Sequence, residues 1–434
     1  VQTRRTTPTA PRARLVGRAA LGLTLALTTA GVAGCTAQEP VTTPASAEQV
    51  EVFTWWASGS EKLAFDSLVE VFVEQNPGTV FVDGGIAGGA GSTAKTLLAS
   101  RLADGDPPDT FQVHGGAELA DYVADGRLRD LDDLVVDLGL DRTLPASVRD
   151  MVSVDGTVYA IPSNVHRANV LWANPDVLAA AGLEATASFA TLDDWFVALD
   201  AVRATGRTPL ALGSTWTQVH LLEQVLLAHL GPQGYAGLWD GTTDVAGAEV
   251  TAALADFERL LGYTNADRDS MDWQDATQDV IDGDAAFVVM GDWALEAFEE
   301  AGDTAPTEVL WATAPGTDGV FDVVVDAFAL PAGAPNPDAA TRWLRAVASA
   351  DGQTAFSNAK GAIPARSDLG TAQLGTYQRA ATTAFRADTV VPSLTHGAAV
   401  STGALDAVTA AVGRFTSGAT TTTTLQAELA LALR

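Results

Sequence analysis

The sequence predicts an α/β fold built on parallel strands, and three observations carry that expectation. Short β-branched apolar runs alternate with longer stretches of helical spacing along most of the chain. Hydrophobic residues make up 47% of the chain and charged residues only 18%, the balance of a packed globular protein and not of a disordered one. The 434 residues suffice for one large or two medium domains once an N-terminal leader is set aside.

The first strand is expected over 50–54, which is apolar and β-branched. A helix follows over 61–75, where Leu63, Leu68, Val71 and Phe72 recur at helical spacing, and Asn76-Pro77-Gly78 stops it. Strand character returns at 79–82, helix at 92–102, strand at 110–113 and helix at 117–124. From about 167 to 300 helices dominate, with starts at Asn174-Pro175-Asp176 and at 191–194, interrupted by short strands at 209–212 and 285–290. Runs at 309–312 and 323–330 are strand-like, and Pro337 takes the first position of another helix. Helical spacing continues through 341–349 and 401–414, and the threonine-rich 420–424 is a linker or a helix start. No internal repeat is visible.

The N-terminus reads differently. Arg4, Arg5, Arg12, Arg14 and Arg18 precede an apolar run over 19–33, and Val32-Ala33-Gly34-Cys35 follows. A basic region, a short apolar run and a small-residue cleavage site in that order form a secretory leader. The run is too short for the roughly 20 residues of a spanning helix. Val-Ala-Gly before the only cysteine resembles the lipobox of bacterial lipoproteins, which implies removal of 1–34 and acylation of Cys35. Residues 35–47, polar and proline-containing, then form a tether, and the protein works outside the cytosol, held to a cell membrane by lipid. The formal net charge is −29, and loss of the five leader arginines takes the mature part to about −34. Such a surface repels nucleic acid and favours solubility. A lone cysteine offers no disulfide framework, so the core holds by burial.

Several motifs lead nowhere. Gly89-Ala90-Gly91-Ser92-Thr93-Ala94-Lys95-Thr96 sits between a strand and a helix, yet it lacks the second glycine of a P-loop and lies in the second βα unit, where a dinucleotide fingerprint belongs in the first. Carboxylate pairs such as Asp132/Asp133 and Asp193/Asp194 are expected by chance among 54 acidic residues, so they do not by themselves make a glycosidase. No HExxH is present, Asp267-x-Asp269 lacks the rest of a calcium loop, and no G-x-S-x-G occurs. Neither a metal nor an organic cofactor is expected.

Aromatic residues flanked by polar groups remain. Phe53-Thr54-Trp55-Trp56-Ala57-Ser58-Gly59-Ser60-Glu61 ends the first strand and opens a helix, and strand carboxyl ends are where α/β sheets bind ligands. Two adjacent indoles on a strand point to opposite faces, so no more than one is expected to be core alone. Lysine occurs only at Lys62, Lys95 and Lys360, and histidine only at His114, His166, His220, His229 and His396.

Ordered motifs across the chain carry a resemblance. Trp55-Trp56 with Gly59-Ser60-Glu61 is followed by Asp106-Pro107-Pro108-Asp109-Thr110-Phe111-Gln112-Val113-His114 and by 161–175. Then come Met290-Gly291-Asp292-Trp293, Val325-Asp326-Ala327, Lys360-Gly361-Ala362-Ile363-Pro364 and Pro392-Ser393-Leu394-Thr395-His396-Gly397. The set resembles the family 1 extracellular solute-binding proteins of ABC sugar importers, nearest the branch that binds glucose. That resemblance implies a two-lobed periplasmic-binding-protein type II fold, with an N-lobe of 48–165 and 310–361 and a C-lobe of 166–309 and 362–434. It implies a monomer that binds one monosaccharide in the cleft and passes it to an ABC permease without covalent chemistry. Trp55 or Trp56, Trp273 and Trp293 would cover the sugar ring. Glu61, Lys95, Gln112, His114, Asp326, Lys360 and His396 would bond its hydroxyls, which both donate and accept. His166 is read as structural. Alanine at Ala327 and at Ala173 departs from the family pattern and touches fine specificity. A di- or oligosaccharide, an extracellular glycosidase and a surface sensor or adhesin are the competing expectations.

Overall fold

The computed structural model describes residues 48–88, 91–301 and 309–433. The leader, Cys35, the tether and Gly89 lie outside the described residues. Among the described residues no helix is long and apolar enough to cross a membrane.

In chain order the strands are β1 (Glu48–Phe53), β2 (Thr79–Asp83), β3 (Thr110–His114), β4 (Ser153–Val154), β5 (Thr157–Val158), β6 (Ala160–Arg167) and β7 (Val170–Ala173). They continue as β8 (Thr208–Ala211), β9 (Ala285–Val289), β10 (Leu310–Thr313), β11 (Val320–Ala329), β12 (Ile363–Pro364) and β13 (Thr389–Pro392). The larger sheet has the order β12-β6-β11-β3-β1-β2, with β13 paired to β11, and the smaller has β10-β7-β9-β8. β4 and β5 form a separate hairpin.

The expected parallel layer is only part of the answer. β1 pairs in parallel with β2 and β3, but β11 runs antiparallel to both β3 and β6. The reason is topological: β11 enters from the smaller sheet and so meets β3 head to tail. Its ten residues are all buried, as expected for a central strand covered on both faces.

Only Ala168 and Asn169 separate β6 from β7, so the chain leaves one sheet and enters the other within two residues. It returns between β10 and β11. Leu310–Thr313, expected to open the return to the N-lobe, instead pairs antiparallel with β7, and Ile363–Pro364, placed beyond its end, pairs with β6. Asn169 clamps the two crossings together. Its Nδ2 donates to Thr317 Oγ1 at 3.0 Å and to the Val320 carbonyl at 2.9 Å, while its Oδ1 accepts from the Asp322 amide at 3.1 Å.

Two apolar cores serve the two sheets. One gathers Trp56, Phe65, Phe72, Phe328 and Trp343, and the other Trp195, Phe196, Leu222, Phe257 and Phe287. The helices answer to local chemistry. Pro337 opens Pro337–Ala348 as expected, but Ser349 ends it and caps a new helix, Ala350–Lys360, accepting from the Gly352 amide at 2.9 Å. Thr421 caps Thr422–Ala432 in the same way, so the threonine run is a helix start. The long Thr215–Asp240 stretch is two helices broken at Gly231, which precedes Pro232.

One contact joins the larger sheet's loops to the C-terminal segment. The helix Ala117–Ala124 begins after Gly116, and the amides of Ala117 and Glu118 donate to the carbonyls of Ala398 (3.0 Å) and Gly397 (2.8 Å). These bonds use helix-start amides that have no partner inside the helix. Gly116 sits at φ 97°, and a Cβ there would lie 2.4 Å from the Ala398 carbonyl oxygen. We predict that Gly116→Ala lowers unfolding free energy by more than about 1 kcal/mol, read from urea denaturation, because neither the dihedral nor the backbone contact can give way.

Candidate functional site

Strand pairing brings the central polar residues together before any side chain is considered. In the register, Asp326 on β11 faces His114 on β3 and Asn164 on β6, and Val324 faces His166. Pairing on β6 then jumps from Asn164 to Pro162, leaving Ser163 as an extra residue. Bulges of this kind re-aim neighbouring side chains. Asp326 Oδ1 accepts from Gln112 Nε2 and Oδ2 from Asn164 Nδ2, each at 3.1 Å, with His114 Nε2 and His166 Nε2 each 3.6 Å away. Buried charge of this kind persists because several donors surround it.

Asp326, His114 and His166 open onto one cavity. It is lined by Trp55, Trp56, Glu61, His114, His166, Trp216, Trp273, Trp293, Val324, Asp326, Lys360 and His396, with an empty volume of about 410 Å³ that includes open solvent at the mouth. That lies at the small end of ligand sites, which run from about 300 to 1,000 Å³.

The aromatic wall is built from separate elements. Trp55 and Trp56 lie beyond the end of β1, so strand alternation does not separate them, and their rings sit 6.4 Å apart at a steep angle. Trp56 also packs on Phe356, Phe65 and Phe328 and is 1% exposed, so it serves core and cavity at once. Trp55 lies against Gly91, where any Cβ would come within 2.9 Å of the ring. The glycine motif that resembled a nucleotide loop thus has a packing reason at Gly91. Trp273 starts the helix Trp273–Ile281, whose N-cap Asp272 accepts from the Trp273 amide at 2.8 Å and from Trp216 Nε1 at 3.3 Å. Trp293 is fixed through its neighbour: the Asp292 carboxylate accepts from the Arg167 amide at 3.0 Å and Tyr377 Oη at 3.2 Å, and it also pairs with His166 Nδ1. His396 stands 4.8 Å from Trp293, ring centre to ring centre.

Nine of the eleven residues expected at the site meet in this cavity, and two stand behind it. Lys95 Nζ bonds Glu118 Oε2 at 2.7 Å and His114 Nδ1 at 3.2 Å, so it braces His114. Burial pushes the Glu118 carboxyl up, but Lys95 and His114 outweigh it and hold it at about 2. Gln112 donates to Asp326 while its carbonyl oxygen accepts from the Trp55 amide at 3.2 Å. Both are positioning residues in this geometry. His166, read as structural, lines the cavity as well as holding Asp292. Its signal was present in the scarcity of histidine and in the two-residue spacing from Asn164. Trp216, near the start of its helix, and Val324 were not singled out, and an apolar strand residue such as Val324 carries no signal at all. Beside His396, His220 and Glu223 complete a group of potential metal ligands within 4.8 Å of one another.

The model of the bacterial extracellular solute-binding protein family matches residues 56–354. An ABC transporter extracellular-binding protein of Pyrococcus horikoshii is 33% identical over 370 residues, covering 84% of this chain and 83% of the relative. The xylose/arabinose-binding protein XacG of Haloferax volcanii is 29% identical over 373 residues, with 84% and 80% covered. Among solved structures, a chitin oligosaccharide binding protein superposes with a TM-score of 0.79 over 89% of this chain and 98% of its own; at 20% identity that likeness speaks for the two-lobed fold alone.

Charge at one end of the cavity is unevenly balanced. Lys360 ends its helix, where a cation is favoured, and lies 2.7 Å from Glu296 and 3.3 Å from Glu61, each in the first turn of another helix. Burial presses the Lys360 ammonium down, but Glu296 and Glu61 outweigh it and its affinity for the proton rises. One ammonium cannot compensate both acids. Burial, only partly opposed by Lys360 and reinforced by Glu61, raises the Glu296 carboxyl from its ordinary 4.5 to about 8. The folded state therefore binds a proton that the unfolded chain has released, and stability falls as pH rises from about 4.5 to 8. Glu296→Gln is expected to flatten part of that slope, measured as urea unfolding free energy against pH.

Proposed function

The chain belongs to the bacterial extracellular solute-binding proteins, family 1 receptors of ABC sugar importers, and from that premise we propose that its cavity takes a single uncharged monosaccharide, glucose before mannose or galactose. The observation that carries this reading is the cavity itself, about 410 Å³ and walled by five tryptophans drawn from four separate segments of the chain. Indole faces cover the C–H faces of a pyranose and exclude water. Asp326 and Glu61 accept from hydroxyls, Lys360 donates, and neutral histidine can do either. Charged partners give the stronger bonds.

Charge supports an uncharged ligand. Glu61 and Asp326 line the cavity with Lys360 as its only lysine, and that lysine is already paired with Glu61 and Glu296, so a sugar acid would find no free ammonium there. Size argues against two or more sugar units, which need a longer cleft. A pentose is the second reading, favoured because the relative XacG is named a xylose/arabinose-binding protein. The relatives are binding proteins and not enzymes, so the glycosidase reading loses its support at the level of the family.

In the proposed mechanism the lobes divide where the chain passes between sheets, near 168 and 314. A sugar touched from both sides favours the closed form, because only closure makes every contact. The closed protein, a monomer, then docks on the permease. A lipid on Cys35 would hold it near that partner and raise its effective concentration outside the cytosol.

Calorimetry across glucose, mannose, galactose, xylose and maltose tests the reading. We expect saturable binding, tightest for glucose, with a change in tryptophan fluorescence. No response to any monosaccharide, or tightest binding of maltose, would overturn it. Asp326→Ala is expected to weaken glucose binding by about 2–4 kcal/mol, the scale for losing one partner of a buried charged contact.

A further inference from the structure

Behind the tryptophan wall lie two polar side chains, His220 and Glu223, for which sugar binding gives no use, beside the cavity residue His396. His220 and Glu223 sit three residues apart on the helix Thr215–Asp240, a spacing that puts both on one face. His396 reaches them from the loop after β13. All three are buried, and one potential ligand atom from each lies within 4.8 Å of the others. Neither ring nitrogen of His220 has a hydrogen bond of ordinary geometry, although the ring is 0% exposed. The nearest polar influence on it is the Ala168 backbone. With at most that weak bond to the Ala168 backbone, a fully buried imidazole keeps at least one nitrogen without the partner that buried polar groups almost always have.

From this placement we propose that His220, Glu223 and His396 form a site for a divalent transition-metal ion of the zinc type. Two imidazoles and a carboxylate are a ligand set suited to such an ion, with a fourth position left for water or another oxygen. Zinc bonds of about 2.1 Å to nitrogen and oxygen require ligand atoms about 3.4 Å apart. Side-chain rotation of an ångström or so from the observed spacing reaches that.

The surroundings support a cation. Glu223 is held in place by the amides of Leu394 and Thr395, by Ser393 Oγ at 3.2 Å and by the Tyr235 hydroxyl. Outer bonds of this kind orient a metal-binding carboxylate. Ser393 Oγ also meets His396 Nδ1 at 3.0 Å, tying the second ligand to the first. Because His396 also lines the sugar cavity, the ion would draw on a side chain of that cavity and link its state to metal supply.

The test uses the full chain, stripped with a chelator and titrated with CoCl2, then ZnCl2. One equivalent of cobalt should give the visible absorption of a tetrahedral site, and zinc should displace it. His220→Gln should lower cobalt affinity by more than about 100-fold, beyond the 10–100-fold typical of outer-shell changes. His396→Gln should do the same and serves if the first variant fails to fold. His229→Gln, at a half-buried pair with Asp256 outside the group, should leave the band unchanged. These readouts need no sugar, so their failure is separate from failure of the sugar reading. Absence of the cobalt band in the wild type overturns the site. So does a band that survives in both His220→Gln and His396→Gln, or one lost only in His229→Gln.

Discussion

A carboxylate in the middle of a fully buried strand governs this molecule. Asp326 is 3% exposed, and an unpaired charge at that depth would cost more than the fold could supply. Its compensation comes from strands on both sides: Gln112 from β3, Asn164 from β6, and the histidines His114 and His166 at slightly longer range. Each of those partners is in turn committed. His114 is braced by Glu118 and Lys95, and His166 by Asp292. The polar network therefore radiates from one strand position into both sheets, and Asp292 carries it to the segment that holds Trp293.

The same strand explains why the cavity lies where it does. β11 pairs with β3 and β6 along one part of its length and with β13 along another, so it is common to the central sheet and to the segment that delivers His396. Two bonding systems then fix the loop after β13. Glu223 gathers its amides from the helix side, and the first amides of Ala117–Ala124 take its later carbonyls. The result is a ring-to-ring distance of 5.7 Å between His114 and His396, residues that belong to different segments of the chain. Lobe motion that separated these clamps would open the cavity at that contact.

Local structure was legible in the sequence wherever it is set by local chemistry. The stop at Asn76-Pro77-Gly78, the proline start at Pro337 and the helix at Ala117–Ala124 follow from residue type and spacing. What could not be read was pairing between distant strands. β11 antiparallel to β3, and Leu310–Thr313 joined to β7, depend on where the chain arrives and not on what it is made of. The site divides on the same line. Scarce tryptophans, lysines and histidines in ordered motifs marked the cavity, but nothing local distinguishes a side chain that lines it from one a layer behind. Lys95 and Gln112 lie behind because they bond residues that line the cavity, His114 and Asp326. His166 does both jobs, which no one-residue label anticipates.

The balance of charge around Lys360 then bears on what the cavity can accept. Glu61 and Glu296 share its ammonium, and Glu296 has a second oxygen with no hydrogen-bond partner. With that cation shared, Glu61 keeps acceptor capacity toward the cavity, and acidic groups outnumber lysine on this wall. A ligand rich in hydroxyl groups supplies donors without adding charge, and each bond it gives replaces water that the indoles exclude. An anion would worsen the imbalance, and a purely apolar ligand would leave the acceptors buried and unpaired, at roughly 1–3 kcal/mol for each neutral group and more for each charged one. Polyhydroxylated and uncharged is therefore the chemistry that completes this surface.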